Sequence, residues 1–507
     1  MRRAYRYLVD YRWTWRSIPR LILLVAGMAG ANVYHVDTAG VDAADRDGSA
    51  DAPWRTLAYS VSKVPQGDHE IKLGPGLFVE SRTSYPESGL TITGAGAEGD
   101  DATIIQAASD WSLDGTPHDE NYTNYLIAVD SWAMSRSSRA GDFTIRGIQF
   151  RSPEDALIDG ALYFKDCDNV TVYDCVFEDF KWTAMYFAYD NNVHVHDCFI
   201  KNANVVEDRH WSGNIKTWWV RHSEFNNITS RNTIHKNWGV GYKGSGHENT
   251  KIHHCSFIGE GFSIEIPFDA EYGVEIYQCT LSSPISVPLP DQTRDPNELG
   301  YDYTFWIHHN YMTCSYAVEG PRNHLRISHN FIQITDNVNG RVYSQFGGDT
   351  EGPMWVHHNV VENADRSFIW KGSGRLDSVY VYNNTVYLAD AGDRAASVLD
   401  AWHSEQFGTM DGWEVKNNIF VAAATQRRNF GDTANMDASH NVCLFVENVP
   451  GGNFPEQDPG LSLAGEKPFP FYAPAGPSSF VVDRGVEVGF DFVGIAPDIG
   501  AFELPAD

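Results

Sequence analysis

The sequence predicts an all-β fold, a right-handed parallel β-helix of about 11–13 coils. Three observations carry this: a six-residue template repeated through the chain, a ladder of asparagine and cysteine at one template position, and cap-like segments at both ends. Repeat architectures lengthen by adding coils, so 507 residues do not require several domains.

The template starts with Val or Ile and ends on an apolar residue. Copies begin at Val172, Val195, Val220, Ile252, Ile276, Ile307, Ile327, Val356, Val381 and Val415, with an entry coil at Ile145–Phe150 and a weaker copy ending at Cys443. Apolar ends point inward while the middle positions turn a corner, so each copy buries its face only by stacking on the next. The fourth position reads Cys175, Cys198, Ser223, Cys255, Cys279, Asn310, Asn330, Asn359, Asn384, Asn418 and Asn441. Asparagine is expected there because it tolerates left-handed backbone and can bond its neighbour along the stack. Cysteines beside histidines (His196, His253) also suit a metal site, but the ladder already uses them, and buried free thiols are the better reading.

The ends complete the organisation. Arginines from Arg2 to Arg20, an apolar run from Leu21 and the small residues Ala29-Gly30-Ala31 read as a signal peptide over 1–31. An N-terminal cap and first coils are expected over 32–140, the regular helix over 141–445 and a Pro- and Gly-rich closing segment over 446–507, all in one domain. Departures from the repeat at about 201–219, 226–238, 282–304, 333–353 and 388–413 are expected as loops on one face. The products of this reading are a secreted or periplasmic location, no membrane in the mature form, and a monomer.

Composition narrows the partners. The net charge of −29 and pI near 4.9 argue against nucleic acid, which needs a basic footprint. An acidic glycan would need cations concentrated locally. Calcium bridging is the one cofactor role this acidity invites, although no metal-ligand set is readable; Asp45, Asp47 and Asp51 have calcium-like spacing but lack the following bidentate glutamate and read as cap residues.

Asp37 to Leu57, Lys72-Leu-Gly-Pro-Gly-Leu-Phe78 and Pro497-Asp-Ile-Gly-Ala-Phe-Glu503 resemble the opening and closing of secreted right-handed β-helix proteins of the pectin-lyase-like superfamily. That group includes polysaccharide lyases and glycoside hydrolases, so the resemblance implies a polysaccharide substrate.

A second ladder precedes the template and is the expected site. Its outward positions are aligned as Lys165, Lys243, Glu265, Glu319, Gln345, Lys371 and Asp400. The leading expectation is a lyase that cleaves a uronate-containing polysaccharide by β-elimination, which needs a base and a carboxylate neutraliser. Lys243 is the expected base, with His235, Lys236, Arg322, Arg341, Lys371 and His403 as supporting cations or proton donors. Hydrolysis instead needs two carboxyls about 6.5–9.5 Å apart, which Glu265 and Glu319, two coils apart, approach. Substrate contacts are expected from Trp238, Tyr242, Arg341, Gln345, Trp370, Asp400, Trp402 and His403, the aromatic faces stacking on sugar rings. A non-catalytic carbohydrate-binding surface protein using the same groove is the third reading. A third ladder of His and Tyr (Tyr173, His196, Arg221, His253, Tyr277, His308, Ser328, His357, Tyr382) is expected as surface stacking.

Overall fold

A computed structural model describes residues 31–111, 124–131, 139–153, 158–203, 213–232, 240–259, 261–268, 271–287, 297, 300–320, 323–335, 340–345, 353–372, 374–390, 392, 396–401, 410–431, 435–462 and 472–504. The chain winds through three parallel ladders. Sheet I holds the strands entering the corner, such as Phe305–His308 and Met354–His357; sheet II holds those leaving it, such as Tyr311–Cys314 and Val360–Ala364. Among the described residues sheet III has eleven strands, from Tyr125–Asp130 to Leu399–Ala401. Two further turns follow, completed by the short parallel pair Arg428–Asn429 and Val446–Glu447.

Alternation along each strand sends one column inside. In sheet III that column is Ile127, Leu162, Met185, Ile215, Tyr242, Ile264, Ile285, Val318, Tyr343, Ile369 and Leu399, all fully buried. Phenylalanines stack inside in the same way: Phe164 and Phe187 lie 5.9 Å apart with planes 10° from parallel.

The corner ladder forms with two corrections to the sequence reading. Asn310, Asn330, Asn359, Asn384 and Asn418 each donate Nδ2 to the Oδ1 of the next rung, and the run ends through Asn441 on Asn453. The left-handed backbone, however, belongs to the third template position: His309, His329, His358, Asn383 and Asn417 have φ between 51° and 61°. The second correction concerns register. Val195 pairs with Phe225, and Cys198 with Ile228, so the copy in that coil starts at Phe225 and not at Val220. Ile228 thus takes the ladder place expected for Ser223, and Asn226 takes that of Arg221.

The cysteines are free and buried. Their thiols reach the carbonyls that the asparagine amides use elsewhere: Cys255 Sγ approaches Phe225 O and His253 O, as Asn359 Nδ2 donates to Ile327 O and His357 O.

At the N-terminal end, the helix Leu57–Lys63 is capped by Thr56, and the buried Glu80 carboxylate accepts from the Leu57 and Ala58 N–H groups. At the other end, residues from the closing segment lie along sheet II. Tyr472 and Ala501 cover Phe331 and Val360, while Val481 and Ile499 cover Ile419 and Val442. No helix among the described residues is long and apolar enough to cross a membrane.

Candidate active site

The outward column of sheet III runs Ala128, Tyr163, Tyr186, Lys216, Lys243, Glu265, Ser286, Glu319, Ser344, Trp370 and Asp400, one residue per coil. Lys243, Glu265, Glu319, Trp370 and Asp400 therefore share one face, as the sequence alignment expected of four of them. Gln345 and Lys371 do not. They pair with each other one residue further along their strands, and both are completely buried. Because side chains alternate, a one-residue offset turns them off the face; Ser344 and Trp370 hold the places assigned to them. Lys165 belongs to another column, beside Asp130 and Ala188, with its Nζ 3.3 Å from Asp130 Oδ2. Tyr242 is also corrected: it points into the rod, where its hydroxyl lies 3.0 Å from Thr217 Oγ1 and from His247 Nε2. His235, Lys236, Trp238, Arg322, Trp402 and His403 lie outside the described residues.

The face grades from aromatic to charged along the axis. At its N-terminal end Lys216 Nζ sits 4.0 Å from the Trp182 ring centroid and 4.6 Å from that of Tyr186, a cation–π cage. The next rung carries Lys243, whose Nζ lies 2.8 Å from Glu265 Oε2, with both side chains largely buried. Two rungs beyond Glu265, Glu319 accepts a hydrogen bond from Ser286 Oγ at 2.9 Å. Burial raises the Glu319 carboxyl above its usual range and the nearby charge of Glu265 adds to this, while hydrogen bonds from Ser286 and Tyr316 work the other way. Glu265 and Glu319 are thus about 9.6 Å apart along the axis at about 4.8 Å per rung. They sit in contrasting surroundings, one carboxylate against an ammonium and the other among hydroxyls.

Past Glu319 the face holds Arg341, Ser344, Trp370 and Asp400. The Arg341 guanidinium lies 4.4 Å from the Trp370 ring centroid, and its Nη1 is 3.3 Å from Ser344 Oγ. Asp400 is raised by burial, against the opposing pull of Arg366 and Arg341. Lys216, Ser286, Ser344 and Tyr316 are site residues that sequence reasoning missed. Ser286 and Ser344 fall at the aligned strand position, so correct register is the signal that finds them. Among the described residues no group of three or more metal-type ligands stands together.

The third ladder stacks on sheet I. Tyr277 lies between His253 and His308 at 4.6 and 5.0 Å, nearly parallel to both, and a second stack runs through His309, His329 and His358 at 4.9 Å.

The family model for the right handed beta helix region matches residues 134–286. No curated protein matches the sequence. Among solved structures, the tailspike protein of E. coli bacteriophage HK620 in complex with pentasaccharide is similar at 9% identity over 77% of this chain and 76% of its own, with a TM-score of 0.50. GH136 lacto-N-biosidase from Eubacterium ramulus aligns at 12% identity over 81% of this chain and 68% of that one, TM-score 0.37. Pectate lyase Pel9A aligns at 14% over 95% and 98%, TM-score 0.27. Identities this low speak to fold alone, and on the coils, the ladder and the matched region the chain is a right-handed parallel β-helix protein.

Proposed function

We propose that this protein is a carbohydrate-active enzyme that hydrolyses glycosidic bonds of a polysaccharide lying along sheet III. The observation that carries this is the contrast between the two carboxyls. Glu319, raised by burial and by the charge of Glu265, is suited to hold a proton and deliver it to the leaving oxygen. Glu265, ion-paired with Lys243, presents a charged carboxylate able to take a proton from water. A spacing of two rungs sits near the upper end of the range that leaves room for that water, which favours inversion at the anomeric carbon.

The same ion pair weighs against β-elimination with Lys243 as base, since an ammonium bound to a carboxylate has no lone pair to accept the substrate proton. The lyase reading keeps one supporting observation, the consecutive cations Lys216 and Lys243 on the face.

The test is turnover on alginate, pectate, glucuronan, ulvan and neutral glycans, read for reducing ends and for ultraviolet absorbance of an unsaturated product. Reducing ends without absorbance, lost in Glu319→Gln and in Glu265→Gln, are expected. Absorbance rising with reducing ends would replace hydrolysis by elimination, and glycan binding without either signal would leave a binding protein.

A further inference from the structure

Arg341 is only 3% exposed, yet its hydrogen bonding is incomplete. Nη1 donates to Ser344 Oγ, the guanidinium stacks on Trp370, and the buried Nε has no hydrogen-bond partner. Among the described residues neither Asp400 nor Asp365 comes within ion-pair distance, although both act on it at longer range, while Arg366 adds a second positive charge nearby. Burial and Arg366 together lower the guanidinium to about 10. A buried arginine is ordinarily retained with its donors satisfied, because leaving a charged donor unpaired is costly. The contrast within this chain lies in the terminal nitrogens: the buried Arg428, whose Nε likewise has no partner, donates from Nη1 and Nη2 to the carbonyls of Asp365, Ala389, Arg366 and Ala396, whereas the hydrogen bond of Arg341 is the one to Ser344.

Ser344 occupies the rung directly after Glu319. The Trp370 ring, 4.4 Å from the guanidinium carbon, and Ser344 keep the cation at this rung, and a guanidinium fork is the group best matched to an oxyanion with two oxygens. We propose that Arg341 is the anion receptor of this face, taking a carboxylate or sulfate carried by the sugar just C-terminal of Glu319, so that the substrate class is an anionic glycan. The word substrate here rests on reading Glu265 and Glu319 as a cleavage site; the receptor itself does not. The overall charge of −29 is no obstacle, since exposed charges beyond about 10 Å are largely screened at ordinary salt and the local cation decides.

The experiment titrates the full chain with D-glucuronate, inorganic sulfate and D-glucose, following the part of the tryptophan fluorescence that Trp370→Phe removes. Saturation by glucuronate or sulfate but not by glucose is expected, and the two anions separate a uronate from a sulfated glycan. Arg341→Gln should raise the half-saturating concentration at least tenfold, with Arg341→Lys in between. Arg341→Met should melt no lower than the parent, because it removes an unsatisfied donor. No saturable anion response, equal binding of glucose, or unchanged binding by Arg341→Gln would overturn the receptor. A lower melting temperature in Arg341→Met would overturn it in favour of a structural arginine. Glu319→Gln should keep anion binding while losing cleavage, so an absence of reducing ends in the parent protein would remove the hydrolytic reading alone.

Discussion

Glu319 is poised by opposing contacts, and each can be removed singly. Under the proposed hydrolysis its acid form is the working one, so kcat/KM should fall as pH rises through its raised value. Tyr316 and Ser286 stabilise the ionised form by hydrogen bonding to it. Tyr316→Phe should therefore shift the alkaline limb of the pH–rate profile upward; a limb that stays put would mean another group governs it. Lys243 offers a second test. Lys243→Met leaves the Glu265 carboxylate largely buried without its cation, a loss of about 3–5 kcal/mol by the usual cost of breaking a buried pair. Adding Glu265→Gln should recover most of that in urea denaturation, while an additive double variant would show that the two side chains are not coupled. The sequence made the members of this site visible, because Lys243, Glu265, Glu319 and Asp400 each stand out as charges preceding a template copy. It did not show their partners. Whether Lys243 is a base or an ion-pair partner depends on a 2.8 Å contact between strands 22 residues apart, and the missing bonds of Arg341 become apparent only once every neighbour is placed.

The element that makes this face regular is the corner ladder. Asn359 is fully buried, donates to Asn384 Oδ1, Ile327 O and His357 O, and accepts from both the backbone and the side chain of Asn330. Asn359→Ala should cost about 1–3 kcal/mol for each polar group left unpaired. Asn359→Cys should cost less, because Cys255 and Cys279 show a thiol reaching the same carbonyls at their own rungs. Thermal unfolding of both variants checks the order, and equal losses would mean that the thiol contacts contribute nothing. The ladder was largely legible in the sequence because its residues recur at one template position. Where it misled, the reason is physical: Phe225 ends the apparent copy at Val220 and begins the real one, whose last place is held by the buried Ser230, so the window with two apolar ends is the wrong one. Only pairing with Val195 and Ile252 chooses between them. Placing Gln345 and Lys371 on the outer face is the same error at one residue's offset, for the strands there are three residues long and their alternation is too brief to set the phase.

Across the whole molecule, the stacked histidines tie stability to pH. Burial lowers His308 to about 3 and His358 to about 4, and lowers His309, His329 and His357 as well. Phe490 of the closing segment packs on His357 and His358, at 4.5 and 4.9 Å, so the imidazoles are held between the rod and its lateral cover. A histidine depressed in the folded state is neutral there while the unfolded chain takes up a proton near pH 6.5. Its contribution is complete above about 6.5 and is lost progressively down to the folded value, with a slope of at most about 1.4 kcal/mol per pH unit per histidine. Raised carboxyls such as Glu503, at about 7, act with the opposite sign: they favour the fold at low pH and lose that as pH rises. The net slope mixes the two, so the informative quantity is a difference between variants. Replacing His309, His329 and His358 by Asn uses the residue found at the next rungs, Asn383 and Asn417, in the same left-handed backbone. The triple variant should lose less stability than the parent between pH 6.5 and 4.5, measured by urea denaturation at each pH. A parallel pair of curves would place the acid sensitivity outside this stack, in groups such as the lowered carboxyls of Glu224 and Glu414.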